Sequence, residues 1–230
     1  MIGMRHISLK GAALFGAGLA VMSLSLVSPA RATLIDYSLS DYTGTGTPPA
    51  GPYGTVELND NGGANVTVTV TLASGMGFVD TGAGASLLWA LTGTPTLTIT
   101  GLTSGFFFTN NATSTGNLDG TGTWFYAIQC SNGTTGACGS GGSSPFTGTL
   151  SFTIDNITLA DFIQNASGFF FASDICTNVD VNDTCRSGIT GDVAAPGPGT
   201  RKVPEPSSLG LLGTALLGLG LVAYRRRKQS

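Results

Sequence analysis

The chain has 230 residues, of which 10% are charged, and a formal net charge of −3. The charges are unevenly placed: from Thr33 to Thr200 twelve acids face a single base, Arg186, which leaves that span at −11. Such a surface excludes nucleic-acid binding, which needs cations to displace counterions. The only histidine, His6, lies outside the span, so His-based triads and His-ligated metal sites are excluded from it too.

The N-terminus reads as an export address. Arg5 and Lys10 precede an uncharged apolar stretch from Gly11 to Val27, broken by Ser28 and Pro29. Ala30 and Ala32 then supply the small residues that a signal peptidase requires ahead of its cut. The expectation is a signal peptide over residues 1–32, removed before Thr33.

Residues 33–191 are predicted to form one all-β ectodomain, an antiparallel, jelly-roll-like β-sandwich. Strands are expected at Leu34 to Leu39, Gly54 to Leu58, Ala64 to Leu72, Leu87 to Leu91 and Thr96 to Thr100. Further strands are expected at Phe106 to Thr109, Thr123 to Gln129, Thr149 to Ile154 and Phe169 to Ser173. The clearest is Ala64 to Leu72, where Val66, Val68, Val70 and Leu72 alternate with Thr67, Thr69 and Thr71. Period two with β-branched residues is the mark of a half-buried strand. Turn signals such as Asp60-Asn61-Gly62-Gly63 and Asn132-Gly133 separate the strands. One short helix is predicted after Thr158, which would cap it with Asp161 three residues on, ending before Gly168.

Four cysteines suit an oxidising compartment; three pairings are open to them, of which the local one, Cys130–Cys138 with Cys176–Cys185, is favoured because each bridge would close a short loop. Asp174, Asp180, Asn182 and Asp183 lie within one short stretch, and oxygen ligands on a pinned loop make a weak calcium site the one metal expectation. No catalytic residue is assigned. Serines lack a His or Lys to activate them, and only a hydrolase built on two carboxylates stays chemically open. If Thr67, Thr69 and Thr71 lay beside Thr96, Thr98 and Thr100, they would make a flat threonine array of the kind seen on ice-binding surfaces.

Residues 192–202, with Pro196, Gly197, Pro198 and Gly199, read as a flexible linker. Val203, Pro204, Glu205 and Pro206 follow, then an apolar transmembrane run over residues 207–224 and the cluster Arg225, Arg226, Arg227 and Lys228. The cluster is expected to stay cytoplasmic, with the middle of the chain outside. This three-part layout over residues 203–230 resembles the PEP-CTERM sorting signal, a bacterial tail that is also labelled as the C-terminal domain of ice-binding proteins. The resemblance implies export through the inner membrane, a membrane-anchored precursor, and recognition of the Pro-Glu-Pro element by an exosortase-like enzyme. The association of such tails with biofilm-type secretion further implies a cell-surface or extracellular protein in a structural or adhesive role, with exopolysaccharide as a partner; the resemblance implies nothing about the ectodomain's activity, and the expectation of no enzyme rests on the residues alone. A carbohydrate- or calcium-binding module is the alternative.

Overall fold

The computed structural model describes residues 32–44, 47–81, 85–110, 120–139, 141–186 and 189–202, together with residue 216. Among the described residues fourteen strands pair antiparallel throughout, in two sheets. The first sheet runs β14 (Pro198–Lys202), β1 (Leu34–Leu39), β3 (Gly54–Asn59), β4 (Val66–Leu72), β10 (Leu150–Ile154), β7 (Ile99–Thr100). The main path of the second runs β2 (Asp41–Tyr42), β13 (Thr190–Ala195), β12 (Phe171–Cys176), β6 (Leu87–Leu91), β9 (Tyr126–Gln129), β8 (Phe107–Thr109). Off that path β5 (Gly77–Phe78) pairs with β12, and β11 (Phe162–Ile163) pairs with β6.

The first sheet has one dry face and one wet one. Val56, Leu58, Val66, Val68, Val70, Leu150, Phe152 and Ile154 are buried, and the residues that alternate with them are not. Those dry side chains share one core with Leu87, Trp89, Leu91, Ile128, Phe171 and Val193 of the second sheet. Two antiparallel sheets closing on a common apolar layer is the arrangement of a β-sandwich. Trp89 sits at its centre, stacked on Tyr126 and Phe108 with centroids 5.5 and 5.9 Å away.

The second sheet is dry on both faces, as continuous burial along β6 and β12 records. Leu88, Ala127, Ala172 and Ala194 project away from the shared core and form a second apolar cluster with Ala85 and Trp124. Trp124 lies just before β9, on a segment tied down by Asn165, whose side-chain amide donates to the Thr121 carbonyl at 2.7 Å. The indole N–H of Trp124 donates to the Thr121 hydroxyl at 3.2 Å. A strand covered on both faces needs no polar alternation, which is why Leu87-Leu-Trp-Ala-Leu91 is an unbroken apolar run.

Three expectations need correction. The short helix is only a single 3₁₀ turn, Leu159–Asp161. The Asp161 carboxylate does accept from the Thr158 N–H and hydroxyl, at 2.7 and 2.8 Å. The chain then leaves the turn because Phe162 and Ile163 pair with Leu91 and Ala90 of β6. Second, residues 192–202 are not a free linker. β13 pairs with β12 along its whole length, β14 pairs with β1, and Val193, Ala194 and Ala195 are fully buried. Small residues at these positions fit a covered strand rather than a loose one. Third, the two threonine strands are not neighbours, since β10 runs between β4 and β7.

Candidate functional site

The folded region begins and ends at one place. Thr33, the residue after the expected signal-peptide cut, donates its N–H to the Asp60 carboxylate at 2.6 Å. The next residue, Leu34, is the register partner of Lys202, the last residue of β14. Leu34 and Lys202 therefore lie on adjacent strands at the same corner of the first sheet. Of the cleavage residues, Ala32 is the first described position, whereas Ala30 lies outside the described residues. Val203, Pro204, Glu205, Pro206, the apolar run over residues 207–224 and the cluster from Arg225 to Lys228 also lie outside them, apart from residue 216. Among the described residues no helix is long and apolar enough to cross a membrane.

The outer face of the first sheet carries three cross-strand rows. They are Ser38–Thr55–Thr71, then Asp36–Glu57–Thr69–Ser151, then Asn59–Thr67–Thr153–Thr100. The face is thus built of hydroxyl, amide and carboxylate groups. Thr67 and Thr153 share a hydrogen bond between their hydroxyls at 3.0 Å, and the Asn61 amide donates to Thr67 at 2.9 Å. These side chains satisfy one another in part, as cross-strand pairs do on a solvated sheet.

Both expected disulfides are present, with Cα separations of 5.3 Å for Cys130–Cys138 and 5.6 Å for Cys176–Cys185. The first closes a turn in which the side-chain Oδ1 of Asn132 accepts from the N–H groups of Thr134 and Thr135. The two disulfide regions touch: Ser143 bridges to Thr184, and the Cys185 N–H donates to the Gly142 carbonyl at 3.1 Å.

The residues considered for calcium separate into two environments. Asp180 takes the N–H groups of Asn182 and Thr184 onto one carboxylate oxygen, at 2.9 and 3.0 Å, and Asp183 follows in left-handed backbone with φ +53°. Those N–H bonds, with Arg186 nearby, hold the Asp180 carboxyl below its ordinary value. Asp174 instead faces Thr81, which donates its N–H at 2.9 Å and its hydroxyl at 2.6 Å to one carboxylate oxygen. Among the described residues no three His, Cys, Asp or Glu side chains are placed to hold a metal ion.

Asp174 has a different neighbour that sequence reading missed. Its register partner across β12 and β13 is Asp192, so two carboxyls stand opposite each other on one face of the second sheet. They are 1% and 7% exposed. Burial pushes the Asp174 pKa up to about 8; the Thr81 bonds oppose this, and the charges of Asp192 and Asp80 reinforce it. Burial thus favours the neutral acid over the carboxylate at Asp174. The pair was hidden because Asp192 stands in the stretch read as a linker, and the apolar run Val193-Ala-Ala195 beside it was the available signal. A buried carboxyl pair of this kind could move a proton, but it lies beneath the surface rather than in a cleft.

No curated protein and no solved structure matches the chain. A family model does match its C-terminus. The match starts at the last residue of β14 and runs through the apolar stretch into the basic cluster. It implies export, a membrane-anchored precursor and processing by an exosortase-like enzyme. The segment at residues 202–228 is a PEP-CTERM protein-sorting motif.

Proposed function

We propose that the ectodomain is a non-enzymatic structural or adhesive component of the bacterial cell surface or extracellular matrix, delivered there by its sorting motif. The observation that carries this reading is the placement of the motif, directly behind an all-β domain pinned by two disulfides. A disulfide-pinned antiparallel domain suits passive service outside the cell. The hydroxyl and carboxylate rows of the first sheet offer hydrogen bonds to a hydrated polymer such as an exopolysaccharide.

Intact-mass analysis of chain recovered from the cell surface, set beside matrix cohesion in a strain lacking the gene, tests the reading. The expected mature chain starts at Thr33, has lost Arg225 to Lys228 and holds two disulfides. The deletion strain should form a weaker matrix, restored by adding purified ectodomain. An intact basic tail on the surface-released chain would contradict sorting. Unchanged cohesion in the deletion strain would contradict the structural role.

A further inference from the structure

We propose that the turn closed by the Cys130–Cys138 disulfide is a preformed saccharide-binding basin, and that it takes a neutral sugar unit rather than a charged one. The proposal deepens the adhesive reading above and rests on it for the polymer that carries the sugar.

The basin is a concavity of about 480 Å³, within the ~300–1,000 Å³ usual for small-ligand sites. It lies beyond the end of β9 and is lined by the turn from Ser131 to Gly139 together with Ser143 and Ser144. Its frame is fixed before any ligand arrives. The disulfide joins the two ends of the turn, and the Cys138 N–H donates to the Cys130 carbonyl at 3.1 Å. The Asn132 N–H donates to the Thr135 carbonyl at 3.0 Å, and the Ala137 N–H donates to the Gly105 carbonyl at 2.9 Å. The Gly139 N–H donates to the Ser143 carbonyl, also at 2.9 Å. Gly136 has no room for a side chain, because a Cβ there would collide with the Cys130 carbonyl oxygen. A site ordered in advance loses little conformational entropy on binding.

The same bonds orient the hydroxyls. Thr134 and Thr135 each donate a hydroxyl hydrogen to the Oδ1 of Asn132, at 3.0 and 3.3 Å. Both hydrogens are thus turned into the loop, and both oxygens keep lone pairs for an incoming donor. Ser131 is set the opposite way. Its Oγ accepts from the Gly133 N–H at 3.1 Å, and its own hydrogen has no acceptor among the described residues, so it is left to donate. Two acceptors and a donor on one wall complement neighbouring sugar hydroxyls, each of which gives one hydrogen and takes another. Ala137 and the disulfide at Cys138 line the same basin and supply apolar surface for ring C–H groups.

Charge selects the class. Among the described residues no ionisable side chain lines the basin, although the span from Thr33 to Thr200 carries −11. An anionic sugar meets repulsion from the body and no cation in the basin. A cationic one finds no carboxylate there to pair with. A neutral polyhydroxyl ligand needs only what the lining supplies.

Titration of the oxidised full chain, held in a zwitterionic detergent, with tetrasaccharides of glucose, mannose and galactose tests the proposal. Tetrauronates are the charged comparison. Backbone amide shifts locate the ligand and give its Kd. At least one neutral tetrasaccharide should move the amides from Ser131 to Gly139, and should bind roughly tenfold tighter than any tetrauronate at about 0.1 M salt. T134V with T135V removes both acceptors but keeps the N–H bonds to Asn132. It should weaken binding roughly tenfold without lowering the melting temperature. T92V, which removes an exposed hydroxyl from another turn, should change neither. Turn amides left unmoved by every neutral tetrasaccharide at about 50 mM overturn the proposal. So do tetrauronates that bind as tightly, a T134V/T135V chain that binds like its parent, or shifts confined to Thr67, Thr69 and Thr71 of the first sheet. Sugar binding with unchanged matrix cohesion in the deletion strain would overturn the structural role and leave the basin standing. A weaker matrix with no sugar binding would overturn the basin alone.

Discussion

Asp174 shows how much one buried side chain can set. Its carboxyl is pushed from the ordinary 3.8 up to about 8, chiefly because burial disfavours the charged form. A folded-state pKa above the unfolded one means that the native state binds the extra proton. The stability it contributes is full below about pH 4, falls as pH climbs, and is gone above about pH 8. From one group the slope is at most about 1.4 kcal/mol per pH unit. Asp174→Asn keeps an oxygen to accept from Thr81 but cannot ionise. Urea unfolding at several pH values between 5 and 8 should therefore show a shallower decline for the variant than for the parent. Parallel curves would mean that Asp174 is charged in the native protein. In the sequence, Asp174 is grouped with Asp180 because the two are close along the chain. Strand pairing gives it Asp192 instead, and no local pattern announces a partner brought by a distant strand.

At the level of elements, legibility followed solvent. β1 and β6 were read with their observed limits, and β4 was recovered to within two residues, because alternation or an unbroken apolar run marked them. β2, β5 and β11 are two residues each and exist only because a neighbouring strand offers its edge. Thr190–Ala195 is missed for another reason: its small Ala194 and Ala195 side chains fit a crowded interior, and the same composition suits a linker. Trp124 was read as part of a strand, whereas it precedes β9 and roofs the outer face of the second sheet. Trp124→Ala should expose Leu88 and the alanines beneath it and cost about 3–5 kcal/mol. A loss under 1 kcal/mol in urea denaturation would show that this roof is not needed. The disulfide at the end of β12 is the second elemental device. Replacing Cys176 and Cys185 by serine frees a nine-residue separation and should cost about 2–3 kcal/mol, read as a lower melting temperature. The unreduced parent treated with a strong reductant should move in the same direction.

For the molecule as a whole, charge is the controlling quantity. Extending the acidic span to Lys202 adds two cations, so residues 33–202 carry −9. The two cations are the last two residues of β14, beside the motif, and the remaining acids are met only by Arg186. A compact body with one sign of charge repels itself, which costs stability and is relieved by screening. At 0.1 M salt the Debye length is about 10 Å, shorter than the domain, so most of that repulsion should be gone. Raising sodium chloride from about 10 mM to about 0.1 M should therefore lift the melting temperature of the mature domain by roughly 2–4 °C, the equivalent of about 1 kcal/mol. Divalent cations should act more strongly than sodium at equal concentration, because they gather more densely around an acidic surface. The comparison that matters is calcium against magnesium. Diffuse screening depends on charge and treats the two alike, whereas a built site distinguishes them by cavity size and ligand number. Since no three acidic side chains converge among the described residues, equal shifts in calcium and magnesium are expected, both reversed by EDTA. A rise in calcium alone would require oxygen ligands from carbonyl or amide groups, and the turn from Asp180 to Thr184 would be the first place to substitute. Equal shifts would make the acidity a bulk property, one that keeps the domain soluble outside the cell and lets any divalent cation bridge it to an anionic polymer.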